Sequence, residues 1–509
     1  MAKNRKSSSR NRILAISKLQ RDYTERSQAL NINTALQLHQ SGKLEDAKNI
    51  YLEILKSDGN NPDALHFLGL YYHQTGNNAS ALPLIRRSIE LNPENPSFHL
   101  NFGPLLFSEG KFDEAETCYK KAISLKPENP SAWNNLGNIY EEKEDFDKAL
   151  EFYARAVSLD PAFAEAYNNM GASHQKLNDT EKAISAYRKA ISLAPSFTQA
   201  HWNLANALLL NGDFIEGWQE FEWRLKKPEF KYLTNGKPLP SGNFSNAAVL
   251  IISEQGIGDT IHFIRFMPLI KKLFGKTIFR CPAPLLKLAE NFPGIDLLLS
   301  TETPIHEINC DFQLPLLSIP FFLKLSAESF CPLEFPYLHP PQSSRDKWNS
   351  LIDENTFNIG LVWAGSPTHR NDRNRSMKLD ELSQLLNIPG LTYYSLQLGP
   401  ASSQAAAYPQ IKDHTGGIKD FADSSGLLSH LDLLISVDTA TAHLAGAMGL
   451  KTWLLLPYAP DWRWAGSGTE SLWYPSIKLF RRQSPKNWQA PLENILNELK
   501  SGEKNRSSV

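Results

Sequence analysis

The chain has 509 residues, 41% hydrophobic and 21% charged, with 53 Lys and Arg against 54 Asp and Glu. At roughly 150 residues per domain, that length calls for about three cores. A formal net charge of −1 excludes a global attraction to nucleic acid or to an anionic membrane. No apolar run reaches the roughly 18 residues of a membrane span. The N-terminus lacks the apolar segment and small-residue cleavage site of a signal peptide.

The N-terminus is basic instead. Lys3, Arg5, Lys6, Arg10, Arg12, Lys18, Arg21 and Arg26 stand against only Asp22 and Glu25. Residues 1–27 read as a disordered basic tail, with a partner-docking arm as the alternative. Cys118, Cys281, Cys310 and Cys331 show no metal-type spacing. Their scatter fits reduced thiols and a cytoplasmic location, and no metal site is predicted.

From residue 28 the sequence falls into rows of 34, starting at 28, 62, 96, 130, 164 and 198 without an insertion. The eighth position reads Ala35, Gly69, Gly103, Gly137, Gly171, Ala205, and the twentieth Ala47, Ala81, Ala115, Ala149, Ala183, Gly217. Small residues there let two antiparallel helices approach closely. The twenty-fourth position is large (Tyr51, Ile85, Tyr119, Tyr153, Tyr187, Phe221) and is expected to fill the groove to the next unit. Pro93, Pro127, Pro161 and Pro195 stop each second helix. The pattern resembles the tetratricopeptide repeat, which implies an all-α right-handed superhelix with a concave face over 28–227.

The sixth position of the rows reads Asn33, Phe67, Asn101, Asn135, Asn169, Asn203. Amides at this spacing offer donors and acceptors along one side of successive helices. Asn101, Asn135, Asn169 and Asn203 are therefore candidates for gripping a peptide backbone. They are similar to the asparagine ladder of the O-GlcNAc transferases; the alternative is a plain repeat preference. In the last row, Trp218 and Trp223 are expected to pack against the next domain. Residues 228–245, rich in Pro, Gly and Ser, read as a linker.

Beyond 246 the period changes. Short apolar runs alternate with helical patterns, which predicts parallel α/β units. The expected strands are Ala248–Ile252, Thr277–Arg280 and Leu297–Leu299, followed by a loop-rich stretch to about 345. A second set comprises Ile359–Trp363, Tyr393–Leu396, Leu433–Val437 and Thr452–Leu456. The first set defines a domain over 246–345 and the second one over 346–495, with a polar tail over 496–509. Pro268 predicts a break in the helix that is expected to start near Asp259.

Three loops at strand ends carry the candidate chemistry. In Glu254–Thr260, Gly256 and Gly258 permit a tight turn close to a ligand, and Asp259 reads either as a helix cap or as a reactive carboxylate. Trp363–Met377 holds Arg370, Arg373 and Arg375 with Ser366, Thr368 and Ser376, a phosphate-binding composition. In Ile435–Gly449 a strand runs into Asp438, Thr439, Ala440 and Thr441 at the start of an Ala/Gly-rich helix. Such a start attracts pyrophosphate. Asp438 is expected to cap that helix or to accept a sugar hydroxyl. His443 reads as a packed histidine or a donor contact.

Together the Gly256-Ile257-Gly258-Asp259 turn and the string Ser436–Gly449 resemble the heptosyltransferase family, which transfers ADP-activated heptose in lipopolysaccharide assembly. The resemblance spans about 247–495. It implies a GT-B fold of two Rossmann-like domains, an acceptor-side one and a nucleotide-sugar one, with no cofactor and no metal in the chemistry. It makes Asp259 the general base, Asp438 a donor-sugar contact, Thr439 and Ala440 pyrophosphate contacts, and Arg375 a phosphate ligand. The implied activity is inverting sugar transfer from a nucleotide sugar, possibly ADP-linked, to an acceptor held by the repeat arm. The alternatives are a repeat scaffold with an inactive module, and a protein O-glycosyltransferase. Nucleotide sugar and a peptide or protein are the implied partners, without nucleic acid or a transmembrane segment; peripheral membrane association stays open.

Overall fold

The computed structural model describes residues 31–234, 244–329, 334–353, 355–369, 371–485 and 487–506. The basic tail 1–27, Cys331, Arg370 and linker residues 235–243 lie outside these. The chain divides into two compact units, Met1–Ser173 and His174–Val509.

The first unit is helical. Its helices are α1 (Ile32–Gln40), α2 (Leu44–Ser57), α3 (Pro62–Gln74), α4 (Asn78–Leu91), α5 (Pro96–Ser108), α6 (Phe112–Leu125), α7 (Pro130–Glu142), α8 (Phe146–Leu159) and most of α9 (Ala164–Lys176). Asn61, Asn95 and Asn129 cap α3, α5 and α7, each followed by a proline whose missing N–H costs nothing at that position. The row-ending prolines add a second fastening: the carbonyls of Pro93 and Pro127 meet side-chain nitrogens of His99 (2.7 Å) and Trp133 (2.8 Å) in the next helix.

The glycines of the eighth position have a different partner from the expected one. A Cβ on Gly69 would lie 2.5 Å from Ile85, one on Gly103 2.2 Å from Tyr119, and one on Gly137 2.5 Å from Tyr153. Each large residue therefore fills the space over the glycine of its own repeat, because the two helices of one hairpin make the closest approach.

The second unit begins with α10 (Thr180–Leu193), α11 (Thr198–Asn211) and α12 (Phe214–Phe221). The contact boundary at Ser173/His174 falls inside the fifth repeat, whereas composition places the change at 228–245. The reason is packing: Phe214, Trp218 and Phe221 belong to the same apolar core as Val249, Phe263, Trp462 and Trp473 of the α/β region. Pro228–Thr234 is a 3-10 turn whose Leu233 is buried against Leu250, Ile252 and Ile278 rather than free linker. Trp218 packs across the junction as expected. Trp223 does not; it stacks on His201 at 3.6 Å within the repeats, with Lys226 over its ring.

Two all-parallel sheets follow. The first, ordered β3-β2-β1-β4, contains β1 (Ala248–Ile252), β2 (Lys276–Cys281), β3 (Leu297–Ser300) and β4 (Phe312–Pro315). The second, ordered β10-β9-β8-β5-β6-β7, contains β5 (Phe357–Val362), β6 (Leu391–Ser395), β7 (Ile411–Asp413), β8 (Leu433–Val437), β9 (Thr452–Leu456) and β10 (Ile477–Arg481). β4, β7 and β10 were not among the expected strands. β4 ends on a proline in a proline-rich stretch, β7 is three residues long, and β10 is an edge strand with Lys478 and Arg481 among its five residues. Strand order reverses between β1 and β4 and again between β5 and β8.

Candidate functional site

The reversals set the site. In parallel α/β sheets, ligands bind beyond the carboxyl ends of strands where the order switches. The loop after β1 is Glu254–Thr260; the loops after β5 and β8 are Trp363–Met377 and the Asp438 turn. All three candidate loops therefore leave strands that flank a switch point.

The first and third loops meet. Helix α13 (Ile257–Phe263) starts at Ile257, two residues before the expected start. Helix α14 (Ala440–Ala447) starts after Thr439. A Cβ on Gly258 would lie 3.1 Å from the His443 ring and 3.4 Å from the Ala440 Cα. Gly258 thus serves close approach, not turning; its backbone is helical. The turn is made by Gln255, at a left-handed φ of 59°. A non-glycine residue there stores strain of about 1–3 kcal/mol, a feature that clusters at functional sites.

Asp259 serves the start of α13: its Oδ2 accepts the Gly256 N–H at 2.8 Å. Its Oδ1 accepts from the Arg463 guanidinium. Arg463 also donates to Asp461 at 2.7 Å. Burial pushes the Asp259 carboxyl up, and Arg463 opposes that shift without cancelling it. Burial works against the Arg463 charge, but Asp461 and Asp259 outweigh it and hold the guanidinium protonated.

Asp438 does not cap α14. Thr439 does, with its hydroxyl facing the Ala442 N–H (3.4 Å) and Ser436 Oγ (3.2 Å). The Asp438 carboxyl is pushed up to about 6, by burial first and then by the neighbouring Asp461 charge, with Arg375 and Arg463 opposing. His443 Nε2 lies 3.7 Å from Asp438 Oδ1, too long for a hydrogen bond. His443 is neutral: burial, then the Arg463, Arg265 and Arg375 charges, push it well below the usual imidazole range. Its Nδ1 faces the Tyr474 hydroxyl at 2.9 Å, which also lies 2.9 Å from His262 Nδ1.

Arg375 completes the cluster from the second loop. It sits against Gly365, where a Cβ would come within 2.5 Å of its guanidinium, and contacts Asp372 at 3.3 Å. Its charge acts on Asp438, His443 and His369. Ser366 lies at the exposed edge, bonded to Thr368. Thr441 is half-buried in the first turn of α14.

The structure therefore brings Gly258, Asp259, Arg375, Asp438, Ala440 and His443 together. It adds Arg463, Asp461, His262 and Tyr474, to none of which the sequence assigns a role. Arg463 lies in a 3-10 turn, Trp462–Trp464, far along the chain. Its one sequence signal is an arginine between two tryptophans, a pattern that reads equally as core. The next residue but one, Ala465, has φ 55° and ψ 169°, a conformation almost confined to glycine.

The asparagine ladder is partly occupied by its own neighbours. The Asn101 amide meets His66 Nε2 at 3.1 Å, and Asn169 donates to Asn134 and Asn138 at 3.0 and 3.1 Å. Asn135 accepts from Asn134 at 3.4 Å, and Asn203 accepts from Gln199 at 2.8 Å. Asn101 and Asn169 thus tie adjacent repeats together. Each side chain remains half-buried rather than sealed. Among the described residues, no helix is long and apolar enough to cross a membrane, and no cluster of His, Cys, Asp and Glu is arranged to hold a metal ion.

Tetratricopeptide repeat models match residues 34–96, 103–144, 130–163 and 164–197, and these residues carry such repeats. The curated relative Protein FlbA of Caulobacter vibrioides is 24% identical over 331 residues, covering 58% of this chain and 54% of FlbA. The chain thus spans about half the length of that relative. Among solved structures, YrrB, described as a TPR protein with an unusual peptide-binding site, is 24% identical with a TM-score of 0.29, over 33% of this chain and 87% of its own. TTC0263, a thermophilic TPR protein of Thermus thermophilus, is 20% identical with a TM-score of 0.31, over 35% and 97%. MamA is 24% identical with a TM-score of 0.29, over 32% and 94%.

Proposed function

We propose that this protein is a glycosyltransferase of the GT-B type that takes a nucleotide sugar in the cleft between its two sheets. The observation that carries the proposal is the contact of Gly258 with Ala440 and His443, which joins the Asp259 turn to the start of α14. One site then offers a carboxylate, a helix start and Arg375, the three groups that sugar transfer from a diphosphate needs.

In this reading Asp259 takes the proton of the acceptor hydroxyl, and the acceptor oxygen attacks the anomeric carbon as the sugar–phosphate bond breaks. The bonding pair leaves with the diphosphate. Arg375 and the N-terminal turn of α14 stabilise the negative charge that grows there, an effect strongest in the transition state. Burial raises the Asp259 carboxyl toward the range where a base works best, and the Arg463 charge opposes that rise. Asp438 accepts a donor-sugar hydroxyl. Thr439 spends its hydroxyl on the cap, so its contribution to a diphosphate comes through the backbone.

The repeats are proposed to bind a peptide or protein, the acceptor or its carrier. A second reading, in which binding through the repeats is the whole function, is favoured by the matched repeat models. A third makes the repeat-bound protein itself the sugar acceptor. A panel of ADP-, UDP- and GDP-sugars, scored for thermal stabilisation and for release of nucleoside diphosphate, separates these. Stabilisation by one nucleotide class with turnover supports transfer. A flat response across the panel removes the transferase and leaves the binding protein; mass-shifted protein products single out the third reading.

A further inference from the structure

Asp259 and Arg463 come from distant stretches of chain, and the terminal repeat holds both. On the Asp259 side the contact is polar. Arg224, fully buried just after α12, donates to both oxygens of Glu254, from Nε at 3.0 Å and from Nη2 at 2.6 Å. It also donates to Ser318 Oγ (2.7 Å), Glu222 (2.6 Å) and the Phe221 carbonyl (3.2 Å). Ser318 in turn reaches Glu222 at 2.9 Å, and Glu254 accepts the Leu317 N–H at 3.3 Å. Glu254 directly precedes the left-handed Gln255 and stands five residues before Asp259.

On the Arg463 side the contact is apolar. Trp218 meets Trp462 edge-on at 5.3 Å, and Phe221 meets it at 6.5 Å. Trp218 also packs on Phe263, the last residue of α13, at 6.1 Å. One short stretch, 218–224, therefore touches the residue before the strained turn, the far end of the helix that carries Asp259, and the tryptophan beside Arg463.

We infer that Arg224 is a positioning residue for the Asp259–Arg463 pair, so that the terminal repeat is a built-in part of the candidate site. A two-pronged guanidinium–carboxylate contact fixes direction as well as distance. A buried one has no water to replace a lost partner. Removing it takes the two-pronged contact from Glu254 and leaves the long Leu317 N–H bond on that carboxylate, so the side chain that leads into the strained Gln255 turn is held more loosely. The inference rests on the transferase reading only for its kinetic arm; the geometric arm stands alone.

The test compares full-length wild type with Arg224→Met, Arg224→Lys and the milder Ser318→Ala, which removes one of the Arg224 contacts. Hydrogen exchange is followed at 253–260 and 461–465. Turnover of whichever nucleotide sugar the panel identifies is followed against pH. Arg224→Met is expected to speed exchange in both segments at least tenfold, with 62–159 unchanged, and to shift the pH profile of turnover more than the donor KM. Arg224→Lys restores part of each, and Ser318→Ala gives a smaller change of the same sign. If Arg224→Met does not fold, the Lys and Ala variants decide alone. Wild-type exchange at 253–260 in the folded variants overturns the inference. Absence of turnover in wild type ends the transferase reading, while the exchange comparison still decides the positioning role.

Discussion

Arg463 donates a charge-assisted hydrogen bond to Asp259 across 204 residues of sequence. The partnership joins a turn after β1 of the first sheet to a turn after β9 of the second. It makes the candidate base a buried, paired carboxylate rather than a free one. Neither residue alone defines the site: without Arg463, burial would push the Asp259 carboxyl up further.

Asp259→Asn keeps the size and the Gly256 contact, gives up the Arg463 contact because an amide has one acceptor oxygen, and cannot act as a base. Nucleotide affinity is expected to stay within about threefold and turnover to fall about 10²–10⁴-fold, the usual worth of a positioned base. Titration calorimetry and single-turnover kinetics on the same preparation check the two halves. Equal turnover in mutant and wild type removes Asp259 from the mechanism.

Arg375→Ala combined with Thr439→Val deletes a guanidinium and the cap hydroxyl of α14. A hydrogen bond to a charged group contributes about 1.5–3 kcal/mol, so nucleotide Kd is expected to rise at least tenfold. Calorimetry with the nucleoside diphosphate alone reads this without any acceptor. Unchanged binding moves the donor site elsewhere.

The Asp438 carboxyl titrates near 6 in the folded chain, above its unfolded value. The protonated form is thus the better accommodated one. Its contribution is fully present below about pH 4 and is lost as pH rises toward and through 6. Asp438→Asn cannot ionise, so its stability relative to wild type is expected to improve by roughly 2–3 kcal/mol between pH 4 and 7. Urea unfolding of both proteins at the two pH values measures it; a pH-independent difference refutes the buried-carboxyl assignment.

Gly103→Ala tests the repeat hairpin. The new methyl would stand 2.2 Å from the Tyr119 ring, so the ring or the helix must shift. Overpacking of this kind costs about 1–3 kcal/mol. A lower unfolding midpoint by circular dichroism is expected, with recovery in Gly103→Ala combined with Tyr119→Leu.

The 34-residue period placed the helical hairpins correctly because every row repeats the same short-range packing problem. Runs such as Ala248–Ile252 and Leu433–Val437 were legible as strands because they are continuous, β-branched or leucine-rich, and bounded by turns. β4 and β7 were not, since a strand ending on a proline or only three residues long leaves no periodic trace. Gly256, Gly258 and Asp259 stood out as a loop, but Gln255 as its strained residue did not, because backbone conformation is set by what the neighbours allow.

The sequence by itself determined the repeats, most of the strands and the three loops that bear charge or glycine at strand ends. Those are local properties, fixed by spacing along the chain. Tertiary structure alone decided that Arg463 meets Asp259, that Tyr474 lies between two neutral histidines, and that Arg224 of the last repeat grips Glu254. Each of these joins residues whose separation in sequence carries no signal, and each depends on burial, which makes a charge or hydroxyl seek the one partner within reach.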